Sequence, residues 1–223
     1  MVNSRSPQQK RRGSPVMRAE LIDAAIRLLE ADGPQALQTR RVAAAAGVST
    51  MAVYTHFGSM TELLAAVLAE IFARFGAALG AVAHTDDPVA DFFALSIAYR
   101  AFALADPQRY RLLFSFAAPE DDHSHSVCDL PVSAASGAIG AETFEYPVLA
   151  VERMMAAGRL RPGPPRDAAA RLWAFMHGAL MLELNGYLGP EDHSRTTVFL
   201  PALIDILVGM GADRAHLERV VPH

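Results

Sequence analysis

Apolar side chains recur every three or four residues through most of the chain, the period of a helix packed on one side. Residues 17–32 place Leu21, Ile22, Ala25, Ile26, Leu28 and Leu29 on that period, and Gly33-Pro34 closes the segment. Between residues 38 and 57 two short helical stretches meet at Gly47. Thr39 is the expected N-cap of the first, whose body from Arg40 to Ala46 is rich in Ala; Ser49 is the expected cap of the second, which reaches about Phe57. A longer helix follows over about 59–82, through Leu63, Leu64, Val67, Leu68, Ile71, Phe72 and Phe75, with Ser59 or Thr61 as its cap. Glu62 suits the positive end of that helix.

Asp86-Asp87-Pro88 opens a helix to Ala105 that is apolar nearly all round and is therefore expected to be buried. Asp106-Pro107 starts a short one through Tyr110, Leu113 and Phe114. The period is lost over 117–140, where Pro, Asp, Ser, His and Gly accumulate, and a long surface loop is expected there. It returns over about 141–157, closed by Gly158, then over 166–188 and 194–210, with a short helix after Asp213. No stretch alternates long enough for a strand. The expected fold class is all-α, with a three-helix unit at the N-terminus and a larger helical domain after it.

Composition narrows the class. At 223 residues and 52% hydrophobic, the chain can bury a sizeable core and is not globally disordered. One Cys builds no disulfide framework, the N-terminus is polar, and no uninterrupted apolar run is long enough for a membrane span. A cytoplasmic protein that does not engage membranes is expected. The net charge of −4 hides an asymmetry. Residues 1–60 hold eight Lys or Arg against four Asp or Glu, while the remainder holds 12 against 20. A basic end on an acidic body suits one anionic partner met at that end. Residues 1–16, with Lys10-Arg11-Arg12, are expected to form a disordered basic arm, either laid along phosphates or serving only solubility.

A helix, a short turn containing Gly and a second helix make a helix-turn-helix, whose second helix can enter the major groove of DNA. Val42, Ala43, Ala46, Val48, Val53 and Phe57 supply its packed side. The other face of the second helix shows Thr50, Met51, Ala52, Tyr54, Thr55 and His56, none of them acidic, as an approach to phosphates and base edges requires. Thr hydroxyls serve either base, and Ala and Met can meet a thymine methyl. Arg40 and Arg41 open the preceding helix, which crosses the backbone.

The stretch resembles the DNA-binding domain of the TetR family of bacterial repressors. Ala25 to Gly33, Thr39, Ala46-Gly47-Val48-Ser49, Tyr54-Thr55-His56-Phe57 and Glu62-Leu63-Leu64 carry that resemblance over residues 17 to about 65. It departs in one place: the family usually has a phosphate-gripping Lys two or three residues after the Phe, and Gly58-Ser59-Met60 has none. The expected DNA contacts are Thr39, Arg40, Arg41, Ser49, Thr50, Met51, Ala52, Tyr54, Thr55 and His56. The resemblance implies a DNA-binding domain over 17–62 and a ligand-binding and dimerisation domain over 63–223, with a homodimer formed through the last two long helices. It also implies a repressor on a near-palindromic operator, released by a small organic effector.

Trp173-Ala174-Phe175-Met176-His177-Gly178 with Leu182-Glu183-Leu184 and Gly186 resembles a C-terminal domain of one branch of that family, named for its Trp, His and Gly. Large apolar side chains on the later helices suit a ligand pocket as well as a plain core. Candidate ligand contacts are Phe92, Ser96, Tyr99, Arg100, Phe114, Trp173, His177 and Met181, with Glu183 a further polar handle. His123, His125 and Cys128 hold plausible metal ligands, and a metal-responsive regulator is one rival reading. Their spacing fits no closed motif, so no metal or other cofactor is expected. No nucleophile elbow, phosphate loop or metalloprotease helix is present, and an enzyme is not expected. The last rival is a helical ligand-binding protein whose helix-turn-helix is vestigial.

Overall fold

The computed structural model describes residues 15–115 and 140–222. The expected basic arm up to residue 14, and the group of His123, His125 and Cys128, lie outside the described residues. The described elements are helical, and the chain is all-α. They are α1 (Pro15–Asp32), a 3-10 turn (Pro34–Ala36), α2 (Thr39–Ala45), α3 (Thr50–Phe57), α4 (Met60–Gly80), α5 (Pro88–Ala105) and α6 (Pro107–Ser115). After the 3-10 turn Ala141–Phe144 come α7 (Glu145–Ala156) and α8 (Pro165–Leu184). The last long helical stretch is composite: an α-turn Glu191–His193, a π-helical segment Ser194–Phe199 and α9 (Leu200–Gly209). A short α10 (Arg214–Val220) finishes it.

The described residues divide into two compact units, one of 15–74 with 106–115 and 140, the other of 75–105 with 141–222. In the first, α1 buries Leu21, Ile22, Ala25, Ile26 and Leu29 against α2 and α6. Helix α2 buries Val42 and Ala43, and α3 buries Ala52, Val53 and Phe57. The turn between them closes as a Schellman motif: Val48 N–H donates to Ala43 O at 2.9 Å and Gly47 N–H to Ala44 O at 3.0 Å. Gly47 sits at φ +66°, which a side chain would strain, so the glycine sets the angle between the two helices.

The caps differ in part from expectation. Thr39 is the first helical residue of α2, and Gln38 takes the N-cap position. The Thr39 hydroxyl instead points at Met60 Sδ, 3.6 Å away. Ser49 does occupy the N-cap of α3 with extended backbone, but its side chain makes no capping bond. Ser59 caps α4, its Oγ accepting from Glu62 N–H at 3.1 Å. Asp106 accepts from Arg109 N–H at 2.7 Å at the head of α6.

In the second unit, α5 is buried over most of its circumference, as its sequence requires. Asp87 caps it, Oδ1 accepting from Val89 N–H at 3.0 Å and Ala90 N–H at 3.3 Å. Helix α8 stops at Leu184, short of the residue 188 expected, because the same Schellman pattern recurs one turn earlier. Tyr187 N–H donates to Leu182 O at 3.0 Å and Gly186, at φ +80°, to Glu183 O at 2.8 Å. Helices α4 and α5 are apolar and long enough to cross a membrane by length and composition, yet about half of each is buried in the protein itself. Leu63, Val67, Leu68, Ile71 and Phe72 of α4 are each at most 3% exposed, so their apolar surface is covered by protein.

Asp91 is 5% exposed on α5 and holds the approach to that helix. Its carboxylate accepts from Thr85 N–H at 2.9 Å, Thr85 Oγ1 at 2.7 Å and Arg153 Nη1 at 2.6 Å. Burial works against its charge, but the bonds from Thr85 and Arg153 outweigh it and hold the pKa below the ordinary 3.8. A depressed acid stabilises the fold above its unfolded pKa and loses that contribution as pH falls through the folded value. Thermal melts on acidification below about pH 4 should therefore show a fall that is smaller in Asp91→Asn. At neutral pH that variant should already be about 1–3 kcal/mol less stable. Equal acid slopes in the two proteins would refute this role for Asp91.

Candidate nucleic-acid interface and ligand cavity

Helix α3 presents what its packing does not use. Val53 and Phe57 turn inward, which leaves Thr50, Met51, Tyr54 and Thr55 outward. Met51 is 69% exposed and Tyr54 48%, a large apolar investment on a helix that is otherwise well packed. The Thr55 hydroxyl donates to Met51 O at 2.8 Å and so is oriented along the helix. Ala52 is 9% exposed and lies at the edge of the buried side. His56 is half-buried, with Nε2 enclosed and unpartnered, so of the expected DNA contacts it faces solvent least. Arg40 and Ser49 are exposed, and Arg41 is exposed but ion-paired with Asp32. Such an exposed pair is worth about 0–1 kcal/mol and yields to a phosphate at little cost.

The second unit holds a small, partly open cavity of about 20 Å³ lined by Phe75, Leu79, Leu95, Tyr99, Thr143, Phe144, Pro147, Trp173 and Met176. That is room for about one water-sized body. No lining side chain is charged. Its polar groups are the hydroxyls of Tyr99 and Thr143 and the indole of Trp173, whose Nε1 donates to Tyr99 Oη at 3.1 Å. Of the residues expected to contact ligand, Tyr99 and Trp173 form its wall. Phe92 and Ser96 are fully buried elsewhere on α5, Ser96 Oγ donating to Phe92 O at 2.8 Å. Phe114 belongs to the first unit, packed 4.9 Å from Tyr110 between ring centroids. Met181 is outside the wall.

Arg100 and Glu183 are one feature. Both are about 5% exposed, and Arg100 Nε donates to Glu183 Oε2 at 3.1 Å while Nη2 donates to Oε1. Nη2 also donates to Glu191 O at 3.0 Å, tying α5, α8 and the start of the last helical stretch together. The sequence missed Phe75 and Leu79, which lie four apart on α4 and so share one face toward the cavity.

His177 stacks on Trp173, ring centroids 5.4 Å apart and planes 14° from parallel. Burial pushes its pKa below the ordinary 6.5. The unfolded chain therefore takes up this proton first as pH falls, so protonation of His177 costs stability below about pH 6.5. Trp173 is the only tryptophan, so its emission reports the stack. An emission step centred below pH 6.5, absent in His177→Gln, is expected. A midpoint above that value would contradict the burial argument.

Residues 21–67 match the family model of bacterial regulatory proteins of the tetR family, and residues 92–207 that of the tetracyclin repressor-like C-terminal domain. The chain belongs to the TetR family of bacterial regulators. Solved structures of similar fold include a Rhodococcus sp. RHA1 protein of unknown function, 28% identical with TM-score 0.71, covering 87% of this chain and 95% of its own. RolR in complex with resorcinol is 18% identical with TM-score 0.64, covering 96% of each chain. SmeT, the repressor of the Stenotrophomonas maltophilia multidrug efflux pump SmeDEF, is 23% identical with TM-score 0.57, covering 92% and 96%. No curated protein matches the chain. As a TetR-family chain it is a transcription regulator with a DNA-binding helix-turn-helix and a ligand-binding domain.

Proposed function

We propose that this TetR-family chain is a repressor that binds a near-palindromic operator as a homodimer and leaves it when a small uncharged organic effector binds the second unit. The exposed Met51 and Tyr54 on an acid-free α3 carry the DNA half of this reading. Thr50, Met51, Ala52 and Thr55 would meet base edges, with Tyr54, His56, Thr39, Ser49, Arg40 and Arg41 on or near the phosphates. The DNA-binding domain would be 17–62 and the effector and dimerisation domain 63–223, of the Trp-His-Gly type given by Trp173, His177 and Gly178. Dimerisation through α8 and the last helical stretch is supported by Leu182 at 48% exposure and by Gly178, beyond which an added Cβ would meet nothing within 4 Å.

The cavity supports the effector half. With about 20 Å³ free, it excludes any organic molecule, so an effector would bind only a widened form. That is what release demands, because a ligand shifts an equilibrium only by its preference between states. A hundredfold preference is worth about 2.7 kcal/mol. Phe75 and Leu79 of the wall lie on α4, which begins three residues after α3 ends, so widening the cavity would load the helix that follows the DNA-contacting one. RolR bound to resorcinol is a precedent for a small ligand in this fold. The test is selection of genomic fragments by the purified chain at two salt concentrations with competing DNA. Enrichment of a near-palindromic sequence supports the reading, and no enrichment at either salt refutes it.

A further inference from the structure

The loop after the DNA-contacting helix, Gly58-Ser59-Met60, offers no cation, yet the structure brings one to that place from elsewhere. The guanidinium carbon of Arg18, on α1, stands 4.9 Å from the centroid of the Phe57 ring at the end of α3. We infer that Arg18 is a further phosphate-binding residue, gripping the DNA backbone beside Tyr54. This rests on the reading of α3 as the DNA-contacting helix.

Three observations carry it. Arg18 is exposed, and the two carboxylates that line a surface groove with it, Asp23 and Glu70, both pair with Arg74, at 2.5 Å and 2.9 Å. Arg18 itself has no ion pair among the described residues, so its N–H donors are open to an outside anion. Second, Phe57 is 7% exposed and fixed in the core, so a guanidinium stacked on it is held in place without losing its outward N–H donors. Third, Phe57 follows Tyr54 by three residues, and positions three apart are neighbours on a helix surface. A guanidinium over Phe57 therefore sits about one turn from the exposed phenol of Tyr54, within reach of a phosphate that passes that phenol.

The test uses the full-length chain and a mixed-sequence DNA duplex, because a phosphate contact acts on every sequence. Each neutralised phosphate adds about 0.9 to the slope of log affinity against log salt. Arg18→Met keeps an apolar stem on Phe57 without the charge. It should lower the slope by about 0.9 per protomer with an unchanged melting temperature, so that affinity falls by about threefold less per protomer between 50 and 200 mM salt. Arg18→Lys should keep the slope. An unchanged slope in Arg18→Met, with normal binding by the unaltered chain, overturns the assignment alone. Absence of DNA binding by the unaltered chain overturns both the assignment and the reading beneath it.

Discussion

Tyr54→Ala is expected to remove operator binding while leaving folding and dimerisation untouched. The side chain is 48% exposed at the middle of α3, so its loss opens no cavity in the three-helix core. What it removes is surface offered to a partner. A hydrogen bond to a charged phosphate is worth about 1.5–3 kcal/mol, and a dimer loses it twice. The expected loss is about 3–6 kcal/mol, or about 150-fold to about 20,000-fold in affinity. A gel shift on the selected operator fragment reads this, with sedimentation confirming the unchanged assembly. Tyr54→Phe separates ring from hydroxyl. An unchanged shift by Tyr54→Ala would remove α3 from the DNA interface.

The second large effect lies far from DNA. Glu183→Ala should lower stability by about 3–5 kcal/mol, because it removes the buried carboxylate of Arg100 and leaves the enclosed guanidinium only the exposed Glu191 carboxylate, 3.5 Å from Nη1. Each partner is about 5% exposed, so water cannot replace the missing carboxylate. For a chain of this size about 2–4 °C of melting temperature accompanies each kcal/mol, which puts the expected fall at about 6–20 °C. The apolar double replacement Arg100→Met with Glu183→Leu should recover most of that, since removing both charges also removes their desolvation cost. A melting temperature for Glu183→Ala within about 1 °C of the unaltered chain would show that the pair is not enclosed in solution.

Much of this molecule was legible because helices announce themselves locally. The Gly47 turn could be read because the requirement for positive φ falls on one residue between two short apolar periods. Asp87-Pro88 could be read for the same reason, as cap and first helical residue are adjacent. Gly189-Pro190 looked like the end of α8, but Gly186 had already ended it, and nothing in the spacing ranks one glycine above another. Arg100 and Glu183 are 83 residues apart in sequence, so each read as a separate handle for ligand when the fold pairs them. Phe114 was grouped with the cavity by its chemistry alone, and the fold spends it on Tyr110 and Phe72. Of the face of α3 read as outward, Thr50, Met51, Tyr54 and Thr55 are exposed, whereas Ala52 is buried and His56 is half-buried with Nε2 enclosed, which spacing alone does not reveal.

Hydroxyl-radical footprinting of the selected fragment tests the central claim most directly, because it maps where the protein sits on the DNA backbone. Two α3 helices entering successive major grooves predict two protected patches centred about 34–36 Å apart, one helical turn, or a multiple of it. Both patches should vanish together in Tyr54→Ala. A single patch, or protection unaltered in that variant, would contradict a dimer that reads DNA through α3.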